Sequence, residues 1–234
     1  MRKLFIVAAS LATSLLVISC APKKEKFELL TEMDSVSYAI GVSNGAQMKT
    51  VPGDSFNVAA LNAGFEASYK NDSANLLLTQ EQTEEVLRTF FAKLQARAQK
   101  ELAVKNKLYG DSVLKQNGAQ EGVITLDNGL QYRIIKQGTG VKPAADDDVK
   151  VNYIGKFLNG RIFDATDQRG PAEFNLQNVI PGWTQILQMM PAGSKYEVWI
   201  PSDLAYGDMG NRGIEPGSTL YFEIELLSVL PKKQ

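Results

Sequence analysis

The chain has 234 residues, 44% hydrophobic and 22% charged, which is enough apolar material for one or two cores. A formal net charge of −1, with no run of Lys or Arg longer than two, excludes a general attraction to nucleic acid. There is no histidine at all, so Ser-His-Asp and Cys-His nucleophile systems and every histidine-bearing metal site are excluded.

The chain opens with Arg2 and Lys3, followed by an apolar or small stretch from Leu4 to Ile18 that is too short for a comfortable membrane span. The sole cysteine closes it, in Val17-Ile18-Ser19-Cys20. This tetrapeptide resembles a bacterial lipobox, in which a peptidase cuts before a cysteine that has received a diacylglyceryl group. Residues 1–19 are therefore expected to be a lipoprotein signal peptide, Cys20 the lipidated first mature residue, and 20–28 a tether. The alternative is an ordinary secretory signal with an incidental cysteine. Acyl chains contribute about 0.8 kcal/mol per buried methylene, so a multiply acylated Cys20 holds a chain on a bilayer without a spanning helix. Loss of residues 1–19 removes Arg2 and Lys3 and leaves 23 basic against 26 acidic side chains, a net charge of −3.

Helical spacing follows. In Ser35 to Lys49, Val36, Ala39, Ile40 and Ser43 share a face, and Gly41 and Gly45 would admit a close neighbour. Asp54 or Ser55 is a candidate cap for a second helix lined by Val58, Leu61, Phe65 and Tyr69. Both need a partner to cover them. Thr79 with Gln82 makes a capping-box pattern, and an apolar stripe runs through Leu87, Phe90, Phe91, Leu94, Ala98 and Leu102 before charged residues crowd in. A helix over about 79–117, with Gly110 tolerated inside, would be roughly 60 Å long. Two helices broken at Gly110 are the alternative. The favoured expectation is an apolar first half buried in the N-terminal domain and a solvated second half acting as a spacer.

Past Gly118 the pattern alternates. Asp127-Asn128-Gly129 signals a turn between Val123-Ile124 and Leu130–Ile135. Val149, Val151, Tyr153, Gly155 and Phe157 share one face of a strand, Tyr196, Val198 and Ile200 another, and Leu220, Phe222, Ile224 and Leu226 a third. One short helix fits Trp183, Ile186, Leu187 and Met190, with Pro181 near its start and Pro191-Ala192-Gly193 after it. The fold class is therefore α+β, an antiparallel half-wrapped sheet around one helix, preceded by an all-α region.

Val149 to Asp164 matches the FKBP signature V-x-V-x-Y-x-G-x-L-x-x-G-x-x-F-D, with Phe157 at the usual leucine. Val179-Ile180-Pro181-Gly182-Trp183, Met190-Pro191-Ala192-Gly193 and Pro201 to Gly207 follow in the right order, so the blocks together cover residues 120–230. The C-terminal half thus resembles FKBP-type peptidyl-prolyl cis/trans isomerases. Tyr38-Ala39-Ile40-Gly41 and the long helix resemble the N-terminal domain of Mip-like and FkpA-like bacterial members. The resemblance implies domains at 29–118 (helical, dimerising) and 119–234 (isomerase).

It also implies a pocket floored by Trp183 and walled by Tyr153, Phe163, Phe174, Val179, Ile180, Tyr206 and Phe222, with Asp164 beside it. Without it, these aromatics would be read as core packing and Asp164 as an exposed loop acid. No cofactor or metal is implied. Implied partners are proline-containing unfolded or partly folded polypeptides, macrolide inhibitors of the family, a second copy of the chain, and a membrane reached through Cys20. The expected location is the bacterial cell envelope, at the outer membrane. A chaperone-like clamp with secondary or no catalysis is the competing function, and a tethered scaffold with a vestigial pocket is a third. Pro171-Ala172 replaces a further pocket aromatic of many members, and Asn211-Arg212 replaces bulkier rim groups, so a more open pocket is expected. Gly207 to Gly217 lacks the Gly-Lys-Ser/Thr of a phosphate loop and reads as a rim flap.

Overall fold

The computed structural model describes residues 27–51 and 56–230, so the signal peptide expected at 1–19 and the lipidation expected at Cys20 lie outside the described residues. The first helix, α1 (Glu32–Lys49), starts earlier than the periodicity suggests because Thr31 caps it. The Thr31 hydroxyl accepts from the Asp34 N–H (3.1 Å), and the Asp34 carboxylate accepts from the Thr31 N–H (2.8 Å). Helix α2 (Val58–Tyr69) is capped by Asn57, whose side chain accepts from the Ala60 N–H at 3.1 Å. The cap expected at Asp54 or Ser55 is thus corrected: an Asn next to the first turn supplies the acceptor that the orphan N–H groups need.

Helix α3 (Gln80–Asn117) has the expected Thr79–Gln82 capping box and runs unbroken through Gly110. Contact density divides the chain into residues 1–77 and 78–234, so α3 falls with the C-terminal unit. The expectation of a solvated second half is overturned. Ala103, Gly110, Leu114 and Asn117 are buried, whereas Leu87 and Phe91 of the first half are exposed on the single chain. The second half docks through a narrow seam of small and polar residues. A Cβ at Gly110 would come within 2.2 Å of the Thr219 hydroxyl, and one at Gly217 within 2.3 Å of the Ala103 carbonyl oxygen. At the helix end, the Asn117 amide donates to Gln131 (2.9 Å), and Gln131 donates to the Leu114 carbonyl (2.8 Å).

The strands form a seven-stranded antiparallel sheet, β1 (Val123–Thr125), β2 (Gln131–Lys136), β3 (Asp148–Phe157), β4 (Ile162–Ala165), β5 (Ala172–Asn175), β6 (Lys195–Ile200) and β7 (Leu220–Leu230). Their order is β1-β2-β6-β7-β3-β4, and β5 pairs with β3 as well. Burial alternates strictly along β3, with Val149, Val151, Tyr153, Gly155 and Phe157 facing inward. Such alternation is what a sheet with one buried face requires. Helix α4 (Pro181–Met189) starts on proline and lays Trp183, Ile186 and Leu187 against that face, together with Met190 just beyond its end. The expected α+β architecture, an antiparallel sheet around one helix behind a helical N-terminal region, is what the chain adopts.

Gly217 has φ of +70° and no room for a Cβ. Gly217→Ala is expected to destabilise the C-terminal unit by roughly 2–4 kcal/mol, through left-handed backbone strain and overlap with α3. The midpoint of urea unfolding followed by tryptophan emission measures this, and an unshifted midpoint would show that the helix does not dock there.

Candidate active site

The expected pocket residues come from separate elements and meet around Trp183. Tyr153 is on β3, Phe163 and Asp164 on β4, Phe174 on β5, Trp183 on α4 and Phe222 on β7. The indole of Trp183 receives Tyr153 (5.0 Å, 87°), Phe174 (5.6 Å, 89°) and Phe222 (5.4 Å, 77°), each edge to face. Phe163 stands on Phe222 at 5.6 Å and on Phe157 at 5.2 Å, so the rings are continuous from β4 to the floor. Edge-to-face placement sets the positive edge of one ring on the negative face of the next and fixes orientation as well as area. Val179, Ile180 and Tyr206 pack half-buried on the same cluster and form its rim.

Two glycines make this approach possible. A Cβ at Gly155 would lie 2.6 Å from the Phe163 ring and 2.9 Å from that of Phe222. A Cβ at Gly182 would lie 2.5 Å from Ile200, so the helix that carries Trp183 can sit close on β6. The Trp183 indole N–H is buried without an acceptor among the described residues.

Asp164 is joined to the cluster by hydrogen bonds. Its Oδ2 accepts from the Tyr153 hydroxyl, and its Oδ1 accepts from the Arg169 guanidinium and from the Ala165 N–H (3.0 Å). Arg169 also donates to the Ala165 carbonyl at 2.8 Å, which closes the turn after β4. Burial, and then the bond to the Asp164 carboxylate, push the Tyr153 phenol above its ordinary value, so it remains a donor at neutral pH. Burial, and then the Asp164 charge, push Tyr206 in the same direction.

Sequence reasoning missed three contributors. Arg169 lies in the short turn after Asp164, where a lone cation near a candidate acid was the available signal. Thr166 is buried, and its hydroxyl accepts from the Tyr153 N–H (2.9 Å) and donates to the Tyr153 carbonyl (3.2 Å), which fixes the backbone of that residue. Phe157 is expected on the inner face of its strand but not at the site, yet it backs Phe163 and lies 4.2 Å beneath the Arg161 guanidinium. A concavity of about 920 Å³ lies elsewhere, between α1 and α2, bordered by Ile40, Gly41, Met48, Leu61, Phe65 and Tyr69.

Residues 139–227 match the family of FKBP-type peptidyl-prolyl cis-trans isomerases, and residues 33–134 match the domain amino terminal to FKBP-type peptidyl-prolyl isomerase. The chain is 43% identical over 206 residues to the outer membrane protein MIP of Legionella longbeachae, an alignment covering 86% of this chain and 87% of that one. It is 35% identical over 210 residues to the peptidyl-prolyl cis-trans isomerase Mip of Coxiella burnetii, covering 87% of this chain and 90% of that one. Among solved structures, the crystal structure of FkpA from Escherichia coli is similar with a TM-score of 0.62 and 33% identity, covering 87% of this chain and 99% of that chain.

The ring cluster depends on the missing side chain at residue 155. Gly155→Ala is expected to cost about 1–3 kcal/mol and to move Phe222 off the indole. In a Trp199→Phe background, where Trp183 is the remaining tryptophan, its emission maximum is expected to shift. An unchanged spectrum and unchanged stability would mean that the rings do not occupy this position.

Proposed function

The chain belongs to the FKBP-type peptidyl-prolyl cis-trans isomerases, and from that premise we propose that Tyr153, Phe163, Asp164, Phe174, Val179, Ile180, Trp183, Tyr206 and Phe222 form its catalytic pocket. The observation that carries this reading is the edge-to-face enclosure of Trp183 by Tyr153, Phe174 and Phe222 beneath the half-buried rim of Val179, Ile180 and Tyr206.

Resonance holds a peptide bond planar against a barrier of about 18–20 kcal/mol, and for X-Pro alone the cis and trans forms are close in energy. Catalysis means stabilising the twisted amide. Apolar rings grip the pyrrolidine by contact area and strip water from the polar planar form. The Tyr206 hydroxyl and the Ile180 N–H orient the substrate chain and its rotating carbonyl. Asp164 is no general base: both its oxygens already accept hydrogen bonds, and isomerisation transfers no net proton. Its place is to hold Tyr153 and supply a fixed negative field at the rim.

The substrates are proline-containing polypeptides in unfolded or partly folded form, whose uncatalysed isomerisation takes tens of seconds. Cys20 anchors the chain by lipid to the envelope, at the outer membrane, as befits a protein similar to one named an outer membrane protein. Macrolide inhibitors of the family would occupy the same pocket, with the preference for the residue before proline altered by Ala172.

Residues 29–118 supply dimerisation. α1 has no buried residue and α2 only Ala67, while Phe65 is 69% and Tyr69 78% exposed on the single chain. An apolar face of this size is covered in a stable protein, and a second copy supplies a matching one. The competing reading, a clamp that holds clients without catalysis, draws on these same exposed faces.

Purified protein is expected to accelerate isomerisation of a proline-bearing tetrapeptide, with kcat/KM about tenfold lower in Tyr206→Phe and lower still in Phe163→Ala. A pure clamp would leave the spontaneous rate unchanged while still suppressing aggregation of a proline-free client. In light scattering, the soluble chain from residue 21 is expected at twice its monomer mass, and a monomeric mass would refute dimerisation.

A further inference from the structure

Tyr206 stands between two short 3-10 turns, Ser202–Leu204 and Gly207–Met209, the first packed on the core through Leu204 and the second tied by the Gly217 N–H, which donates to the Gly207 carbonyl at 2.9 Å. Each turn carries an acid that faces α3. The Lys107 ammonium lies 2.8 Å from Asp203 and 2.7 Å from Asp208, so one cation spans carboxylates on both sides of the tyrosine. The two acids hold the Lys107 ammonium well above the ordinary lysine range.

Adjoining positions of the helix grip the end of the same loop. Asn106 donates to the Pro216 carbonyl at 2.8 Å, Ala103 lies against Gly217, and Gly110 admits Thr219. Glu215 continues the path, for it meets Arg161 at 3.6 Å, and Arg161 covers Phe157, the ring behind Phe163. One helix surface therefore touches the segment that presents Tyr206 and, through Glu215, the support of the opposite wall.

We propose that Lys107 is a positioning residue for Tyr206, and that the second half of α3 is a brace for the rim of the isomerase site. This rests on the assignment of Tyr206 to the pocket above. Both acids are exposed, and exposed ion pairs contribute little to overall stability. Their effect is local. Without the cation, two neighbouring carboxylates repel across Tyr206, and the loop loosens there while its backbone ties at Gly207 and Pro216 remain. The long helix then acts on catalysis through the geometry of one hydroxyl.

The test uses the full chain. Lys107→Met is expected to lower kcat/KM on the tetrapeptide about fivefold by loosening a positioned donor, with no change in melting temperature. Amide exchange over residues 203–210 should quicken while that of β3 and β7 does not. Lys107→Arg should keep both readouts near wild type, and the Asp203→Asn/Asp208→Asn pair, which removes the bridge and the repulsion together, should lose less than Lys107→Met and, combined with it, should reduce its loss. Lys105→Met, on the exposed side of the helix, should leave both unchanged. Wild-type turnover and wild-type exchange in Lys107→Met would overturn the brace. If the wild-type chain itself failed to isomerise the peptide, the site assignment would fall, while exchange over residues 203–210 would still decide whether Lys107 holds the loop.

Discussion

Everything in the C-terminal half depends on the burial of one indole. Trp183 is where α4 meets β3, β5 and β7, and each strand contributes a ring to it. A ring cluster made this way is also part of the hydrophobic core, so the surface proposed to receive a proline ring and the packing that stabilises the fold share the same side chains. Deformation of one therefore deforms the other. The rings belong to one close-packed cluster with fully buried residues such as Leu176, Ile186, Val198 and Leu226, which resists deformation.

The polar side of the site follows the same economy of parts. Asp164 could have been a reactive acid, but Tyr153, Arg169 and the Ala165 N–H occupy its oxygens. It is a joint between strands and turn that also carries a charge. A chain without histidine and with its one cysteine at residue 20, far in sequence from the ring cluster, has little nucleophilic chemistry to offer. The reaction assigned to it needs none, since twisting an imide breaks no covalent bond.

Much of this was legible in the sequence because it obeys short periods. The alternation along β3 and β7, the proline at the start of α4 and the Thr79–Gln82 cap each follow from a rule that spans a few residues, and the structure has all three. The ring cluster was legible only through the ordered signature blocks, since aromatics on strands carry no mark of which face is a site. What escaped depends on partners far along the chain. Gly110 resembles a weak point in a helix until Thr219 is placed beside it, more than a hundred residues later. Asn106, Lys107 and Asn117 resemble solvent-facing residues until their acceptors on the sheet and loop are known. Counting apolar residues finds large seams and passes over small ones. The strands β4 and β5, each four residues long, are too short to show a period.

The composition of α3 now has a physical explanation that a spacer does not provide. A spacer asks only for helix formers with charged sides, and such a helix would tolerate alanine at residue 110 with a gain of about 1 kcal/mol in propensity. Instead α3 keeps a glycine in mid-helix, an alanine two turns before it, and an asparagine and a lysine between them. These occupy positions 103, 106, 107 and 110, the spacing of one helical face. Small residues at 103 and 110 bring the backbone close to Gly217 and Thr219, and only at that approach can the shorter Asn106 reach the Pro216 carbonyl. The first half of the helix follows the opposite logic, with Leu87 and Phe91 presenting broad apolar surface to solvent on the single chain. Broad apolar surface selects for area and tolerates a shifted partner, whereas a seam of glycine and polar groups accepts a single register. The helix is thus fixed at its C-terminal end, beside the loop that carries Tyr206, and presents exposed apolar surface at the other.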